Sequence, residues 1–265
     1  MLRYQAAHMD DHRPLRTYGR IKARTLKPRQ AGLVDTLLPH LAVPEEGAIE
    51  IDALFSEPSP LAGEGGEGGI DAKLSNFGAD TPTPNPAPQG GRERILEIGF
   101  GGGEHLVSQA IAHPDRRFVG VEPFLNGIAS CLRHIEESGA QNIRLHQGDA
   151  RDVIARLPDA SLDLVYILFP DPWPKTRHHK RRLIQPEFLR DLARVMKPGA
   201  ELRFATDWAN YAAWTLEHLS RDPHFAWTAE RAEDWRKPWP GHVTTRYEEK
   251  KLGDCAPIWF RFVRV

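Results

Sequence analysis

The chain has 265 residues, enough for one large α/β domain, and its 35 lysines and arginines almost balance 36 aspartates and glutamates. No apolar run approaches the roughly 20 residues that span a bilayer, and the first residues lack the apolar segment of a secretory leader, so a cytoplasmic protein without a membrane partner is expected. Two distant cysteines, Cys131 and Cys255, lack a CxxC partner and suit small buried side chains in a reducing compartment.

Near-neutral net charge hides a local asymmetry. Between positions 13 and 34 stand Arg13, Arg16, Arg20, Lys22, Arg24, Lys27 and Arg29 with no acid among them, and a second basic block runs from Lys175 to Arg182. Two such blocks point to a polyanion held at one place. Within "QAGLVDTLLPHLAV" the leucines 33, 37, 38 and 41 fall at helical spacing, and "AIEIDALF" follows as a short extended or capping piece. Residues 57–92 are rich in Gly and Pro with few large apolar side chains, the composition of a disordered insertion. The expected organisation is therefore a basic arm and helix packed on the core (1–56), the insertion (57–92) and a catalytic domain (93–265).

From residue 94 short apolar runs alternate with amphipathic segments. Strands are expected at "RILEIGF", "RFVGVEP", "NIRLHQGD", "LDLVYILFPDP" and "AELRFATD", and helices at "GEHLVSQAIAHP", "LNGIASCLRHIEESG", "ARDVIARLP", "PEFLRDLARVMKPG" and "WANYAAWTLEHLS", with "PIWFRFVRV" as a last strand. Such alternation means βαβ units in a doubly wound, mostly parallel sheet, whose ligands sit at the carboxyl ends of the strands.

An acid stands at or beside each of those ends: Glu97, Glu122, Asp149, Asp171 and Asp207. Gly99 and Gly101 lie in a turn where a cofactor can approach backbone without meeting a Cβ. Glu122 closes the second strand, where a carboxylate accepts from both hydroxyls of a ribose. A nicotinamide dinucleotide competes for this site, but the sixth position of the GxGxxG pattern is Glu104, and carboxylates around the turn repel a pyrophosphate. They favour a cationic cofactor, S-adenosylmethionine, with Asp149 accepting from the adenine amino group.

At this point "LEIGFGGGEHL", "FPDPWPKTRHHKRRLIQPEFL", "ATDWANYA" and "TTRYEEKKLG" together resemble the bacterial tRNA (guanine-N7)-methyltransferases of the TrmB type. The resemblance runs from about Gly19 to the C-terminus apart from the insertion. It implies a class I, Rossmann-like methyltransferase that uses S-adenosylmethionine to methylate N7 of the guanosine at position 46 in the tRNA variable loop; no metal is expected, and monomer and homodimer both stay open. It makes Glu97, Glu122 and Asp149 cofactor contacts and places Asp171 at the reaction centre. Lys175, Asp207, Thr245, Arg246, Tyr247 and Glu248 take substrate-binding roles, and "YGRIKARTLKPRQ" resembles the family's arm on the tRNA. The insertion before Arg92 and Pro174 after PDPW depart from the pattern.

Guanine N7 already carries an in-plane lone pair, so positioning is most of the task. Asp171, between two prolines, is suited to accept from the guanine N1 and amino hydrogens and to lie near the positive charge that the purine acquires. The block from Lys175 through Arg182 is expected to hold flanking phosphates, and Trp173 either to stack on the base or to pack beneath the loop. His178 and His179, adjacent on irregular backbone, make a poor metal pair. The alternative for Asp207 and Trp208 is an N-cap and a first-turn residue of the following helix, and without the resemblance residues 245–248 read as an ordinary loop.

Overall fold

The computed structural model describes residues 25–56 and 92–265; the expected insertion up to residue 91 and the basic arm up to residue 24 lie outside them. Helix α1 (Pro28–Thr36) and the short α2 (Leu38–Leu41) replace the single helix expected here. Pro39 has no N–H to continue the ladder, so the chain breaks at Leu37 and starts afresh.

Seven strands follow: β1 (Arg94–Ile98), β2 (Arg117–Val121), β3 (Ile143–His146), β4 (Leu162–Leu168), β5 (Met196–Thr206), β6 (Phe225–Trp227) and β7 (Ile258–Arg264). They form one sheet in the order β3-β2-β1-β4-β5-β7-β6, parallel through β5 and antiparallel at β7 and β6. Helices α3 (Glu104–Ala112), α4 (Leu125–Ser138), α5 (Ala150–Arg156), α6 (Pro186–Val195) and α7 (Ala209–Arg221) supply the crossovers, while α8 (Glu233–Arg236) and α9 (Arg246–Glu249) are single turns near the C-terminus.

The central strands are apolar on both faces because both are covered. One core joins Leu96, Ile98, Val165 and Ile167 to α5, α6 and α7; the other joins Ile95, Phe118 and Tyr166 to α1, α3 and α4. Helix α4 turns Ile128, Cys131, Leu132 and Ile135 inward and stops at Gly139, whose φ of +69° closes the helix in the left-handed region. Each fully buried Leu or Ile there contributes about 2 kcal/mol. Cys131 is buried as expected, whereas Cys255 is half-buried.

Candidate active site

The strand order reverses between β1 and β4, whose ends are in register at Ile98 and Ile167. In doubly wound sheets that reversal opens a crevice. The turn leaving β1 is left-handed at Gly99, Gly101 and Gly103. A Cβ on Gly99 or Gly101 would meet no heavy atom within 4 Å, so this backbone faces open space. Gly103 faces the core instead: a Cβ there would lie 2.6 Å from both Cβ and Sγ of Cys131.

Glu122 ties β2 to this turn. Its carboxylate accepts from the backbone N–H of Gly101 at 2.9 Å and of Phe124 at 3.0 Å, in a position only 5% exposed. Burial drives the carboxyl up to about 7 against the lowering effect of those two bonds, and the nearby Asp171 adds to the rise. Glu97 lies on the opposite face of β1 from Leu96 and Ile98; its Oε2 accepts from Nδ1 of the buried His105 at 2.8 Å. Asp149 is the N-cap of α5, accepting from Arg151 N at 3.0 Å and Arg151 Nη1 at 2.9 Å.

Across the crevice, β4 ends in Phe169-Pro170-Asp171-Pro172-Trp173. Phe169 and Trp173 have φ of +50° and +44°, values that non-glycine residues rarely adopt and that cost on the order of 1–3 kcal/mol each. The bend is held from several sides. The Phe169 N–H donates to Ala205 O at 2.8 Å, and its ring packs against Tyr247 and Trp259. Arg182 donates through Nε to Pro172 O at 2.9 Å and through Nη2 to Asn210 Oδ1 at 2.6 Å. Among the described residues no hydrogen bond or ion pair engages the Asp171 carboxylate. It keeps a solvent-facing side, yet the protein packed around it withdraws enough water to push the carboxyl above its ordinary range.

Behind the crevice a C-terminal segment forms a clasp. Thr245 caps α9, with the Glu248 N–H reaching its Oγ1 at 3.4 Å and Glu248 Oε2 accepting from Thr245 N at 2.8 Å. Arg246 pairs with Glu104 and donates to Ser130 Oγ at 3.0 Å. Tyr247 donates to Asp207 Oδ1 at 3.3 Å, and Glu248 accepts from His242 Nε2 at 3.0 Å. Burial alone would raise the Glu248 carboxyl, but His242 and the Thr245 N–H outweigh it and hold it below the ordinary range.

A family model described as "Putative methyltransferase" matches residues 92–260. A tRNA (guanine-N(7)-)-methyltransferase of Caulobacter vibrioides (strain NA1000 / CB15N) is 51% identical over 253 residues, covering 96% of this chain and 96% of that protein. One of Hyphomonas neptunium is 44% identical over 250 residues, covering 94% and 99%, and one of Ruegeria pomeroyi 45% over 259 residues, covering 96% and 96%. The chain belongs to the tRNA (guanine-N7)-methyltransferase family.

In this methyltransferase the residues read from the sequence fall into three groups. Gly99, Gly101 and Glu122 lie at the turn after β1, with Asp171 near enough to raise the Glu122 carboxyl; Asp207, Thr245, Arg246, Tyr247 and Glu248 form or anchor the clasp; Asp149 stands at the start of α5. Glu97 reaches the clasp side through His105. Lys175 is exposed at the N-cap of the 3-10 turn Thr176–Arg181.

Two expectations need correction. Arg182 cannot hold an RNA phosphate: it is 1% exposed, and its guanidinium lies over the rings of Tyr211 and Trp214. Nor is Asp207 a cap: the N-cap of α7 is Trp208, and the helix's first N–H, that of Ala209, donates to Asp254 Oδ1 at 2.8 Å. Trp173 is half-buried, with the Arg181 guanidinium 5.1 Å from its ring centre. His178 and His179 diverge toward Trp173 and Trp214. Residues 245–248 are a capped helical turn, and the Thr-x-x-Glu spacing that signals such a box was present in the sequence. His105 and His242 were missed, and Arg182 was taken for a phosphate contact, because long-range pairing alone distinguishes them from ordinary surface or core positions.

Proposed function

We propose that this methyltransferase transfers a methyl group from S-adenosylmethionine to N7 of guanosine 46 in the variable loop of tRNA. The observation that carries the reading is the Asp171 carboxylate, which no side chain among the described residues engages, in a braced, strained loop facing the Glu122 turn, in a chain about half identical over its length to proteins of that name.

The residues present fit the cofactor. Open space before Gly99 and Gly101 admits close approach to the backbone, and Glu122, buried and accepting from two N–H groups, has lone pairs suited to a ribose diol. Asp149 serves the adenine amino group, and Glu97 contributes negative charge beneath the turn. When bound, S-adenosylmethionine supplies a sulfonium methyl group, which the N7 lone pair takes without prior loss of a proton. Asp171 accepts from guanine N1–H and the 2-amino group, orients the base, and sets a negative charge beside the ring as it becomes cationic. Asp207, with Tyr247 held against it, and the clasp bound the other side of the base. Lys175 and the exposed Arg177 and Lys180 contact phosphates, which fix position without reading sequence. A loop target exposes the N7 edge that the deep, narrow major groove of duplex RNA hides.

Incubation with unmodified tRNA transcript and methyl-labelled S-adenosylmethionine, then reduction and aniline treatment, tests the reading. Chain cleavage at a single variable-loop guanosine is expected. Label without cleavage would discard N7 as acceptor, and cleavage elsewhere would discard the position.

A further inference from the structure

Two buried carboxylate–imidazole pairs meet back to back beneath the active site. Glu97 Oε2 and His105 Nδ1 are 2.8 Å apart with side chains 2% and 1% exposed; Glu248 Oε1 and His242 Nε2 are 3.0 Å apart with side chains 9% and 4% exposed. The two imidazoles lie 5.6 Å apart, centre to centre. His105 is also edged by Tyr166 at 4.7 Å, and His242 by Trp259 at 4.5 Å and Trp239 at 5.9 Å. One pair begins on β1, next to the glycine turn; the other ends in the clasp.

Ionised carboxylates only accept, so the nitrogen facing each one carries the proton. His105 donates from Nδ1 and His242 from Nε2. The remaining nitrogens, His105 Nε2 and His242 Nδ1, are buried and have no partner among the described residues. Each ring therefore commits one particular nitrogen to one particular acid. Helix α3 reinforces the arrangement: Gln109 Nε2, four residues beyond His105, donates to Gly241 O at 2.7 Å, and Glu104 pairs with Arg246. The helix that follows the glycine turn thus grips the segment 241–248 at three points.

We propose that His105 and His242 are positioning residues for methyl transfer, His105 fixing Glu97 on the cofactor side and His242 fixing Glu248 and the Thr245 turn on the RNA side, with their ring contact seating the clasp on β1 and α3. The inference rests on the function proposed above. Neither histidine touches substrate; each acts through its acid.

The different nitrogens give a reciprocal test. Asparagine places an amide N–H near the Nδ1 position of histidine, and glutamine near Nε2. His105→Asn and His242→Gln should therefore keep ligand affinities within about threefold of wild type, whereas His105→Gln and His242→Asn lose the donor to a buried acid. That loss weakens S-adenosylhomocysteine binding for His105→Gln and tRNA binding for His242→Asn by about 10- to 100-fold. Calorimetry measures the first ligand, filter binding of unmodified tRNA the second, and circular dichroism checks the fold. Equal effects of Asn and Gln at either position, as a packing role predicts, overturn the proposal. Should a variant unfold, a double-mutant cycle decides: after Glu248→Gln, His242→Asn should change tRNA affinity no further, and an additive loss would refute action through the acid. Wild-type protein that fails to methylate tRNA would sink the functional reading itself, whereas active wild type with an indifferent Asn/Gln pattern sinks only this inference.

Discussion

Glu122 offers the sharpest quantitative test, because one carboxylate is asked both to sit in a buried place and to accept from a ligand. Folding moves its carboxyl from 4.5 to about 7. A raised acid means that the protonated form is favoured in the fold. The stabilisation relative to the ionised form is complete below pH 4.5 and lost as the pH rises through about 7, a difference on the order of 3 kcal/mol. At pH 8 the folded protein thus carries an unfavourable buried charge, and two ribose hydroxyls donating to it would offset part of that burden. Binding should follow the ionised fraction. S-adenosylhomocysteine keeps its own charges between pH 6 and 8, so its Kd should be about tenfold weaker at pH 6 than at pH 8, with the slope setting in just below neutrality. Calorimetric titrations across that range measure this directly, and repeating them in buffers of different ionisation enthalpy reveals a proton released on binding at pH 6. Glu122→Gln should bind weakly and without the pH slope. A wild-type Kd that stays flat from pH 8 to 6, or a slope that survives in Glu122→Gln, would refute the assignment of Glu122 to the cofactor.

Three further substitutions probe the loops on either side. Asp171→Ala should lower turnover by about 10²- to 10³-fold while leaving S-adenosylhomocysteine affinity within about threefold; retained turnover in single-turnover assays would remove Asp171 from the reaction centre. Arg182→Met keeps much of the buried volume but leaves Pro172 O and Asn210 Oδ1 without their donor, so about 1–3 kcal/mol of stability and much of kcat should go, with cofactor affinity unchanged; a wild-type melting curve and kcat would show that the Asp171 loop does not depend on it. Gly103→Ala forces an alanine to φ +83° with its methyl 2.6 Å from Cys131, and a loss of at least about 2 kcal/mol in denaturant titration is expected; an unchanged midpoint would mean that the turn relaxes freely.

The parallel core was legible because its strands are buried on both faces and so read as unbroken apolar runs ending at Gly, Pro or an acid. Where one segment serves two elements, the reading failed. "MKPG" signals a helix stop after Val195, yet β5 begins at Met196, pairing with Leu162 while Glu201 pairs with Leu164. The surplus residues loop out around Pro198 and a left-handed Gly199, and Lys197 is tied to Asp163 at 2.6 Å. Strand β6 spans only Phe225–Trp227 and is defined by its partner β7, so no periodicity could announce it. Residues joined across the chain were equally opaque. Arg182 stands in a run of cations that looks like surface, but its direction is decided by Tyr211 and Trp214, which form the slot it enters.

The five strand-end acids show why a list of carboxylates is not yet a mechanism. Glu97 is held by a histidine, Glu122 by two backbone amides, Asp149 by the start of its own helix and Asp207 by a tyrosine hydroxyl. Each of these bonds fixes a geometry and spends lone pairs on the protein. Asp171 is fixed differently, through its backbone: two left-handed residues flank it, and Arg182 grips the following carbonyl. Its orientation is therefore set with no described residue engaging its oxygens. An acid that must accept two hydrogens from a base, and answer a charge that develops only during reaction, needs that combination of a rigid main chain and an uncommitted carboxylate. On the role proposed for Asp171, the strain at Phe169 and Trp173 follows from the same demand, since side-chain hydrogen bonds could hold the loop instead only by occupying the atoms that a guanine would require.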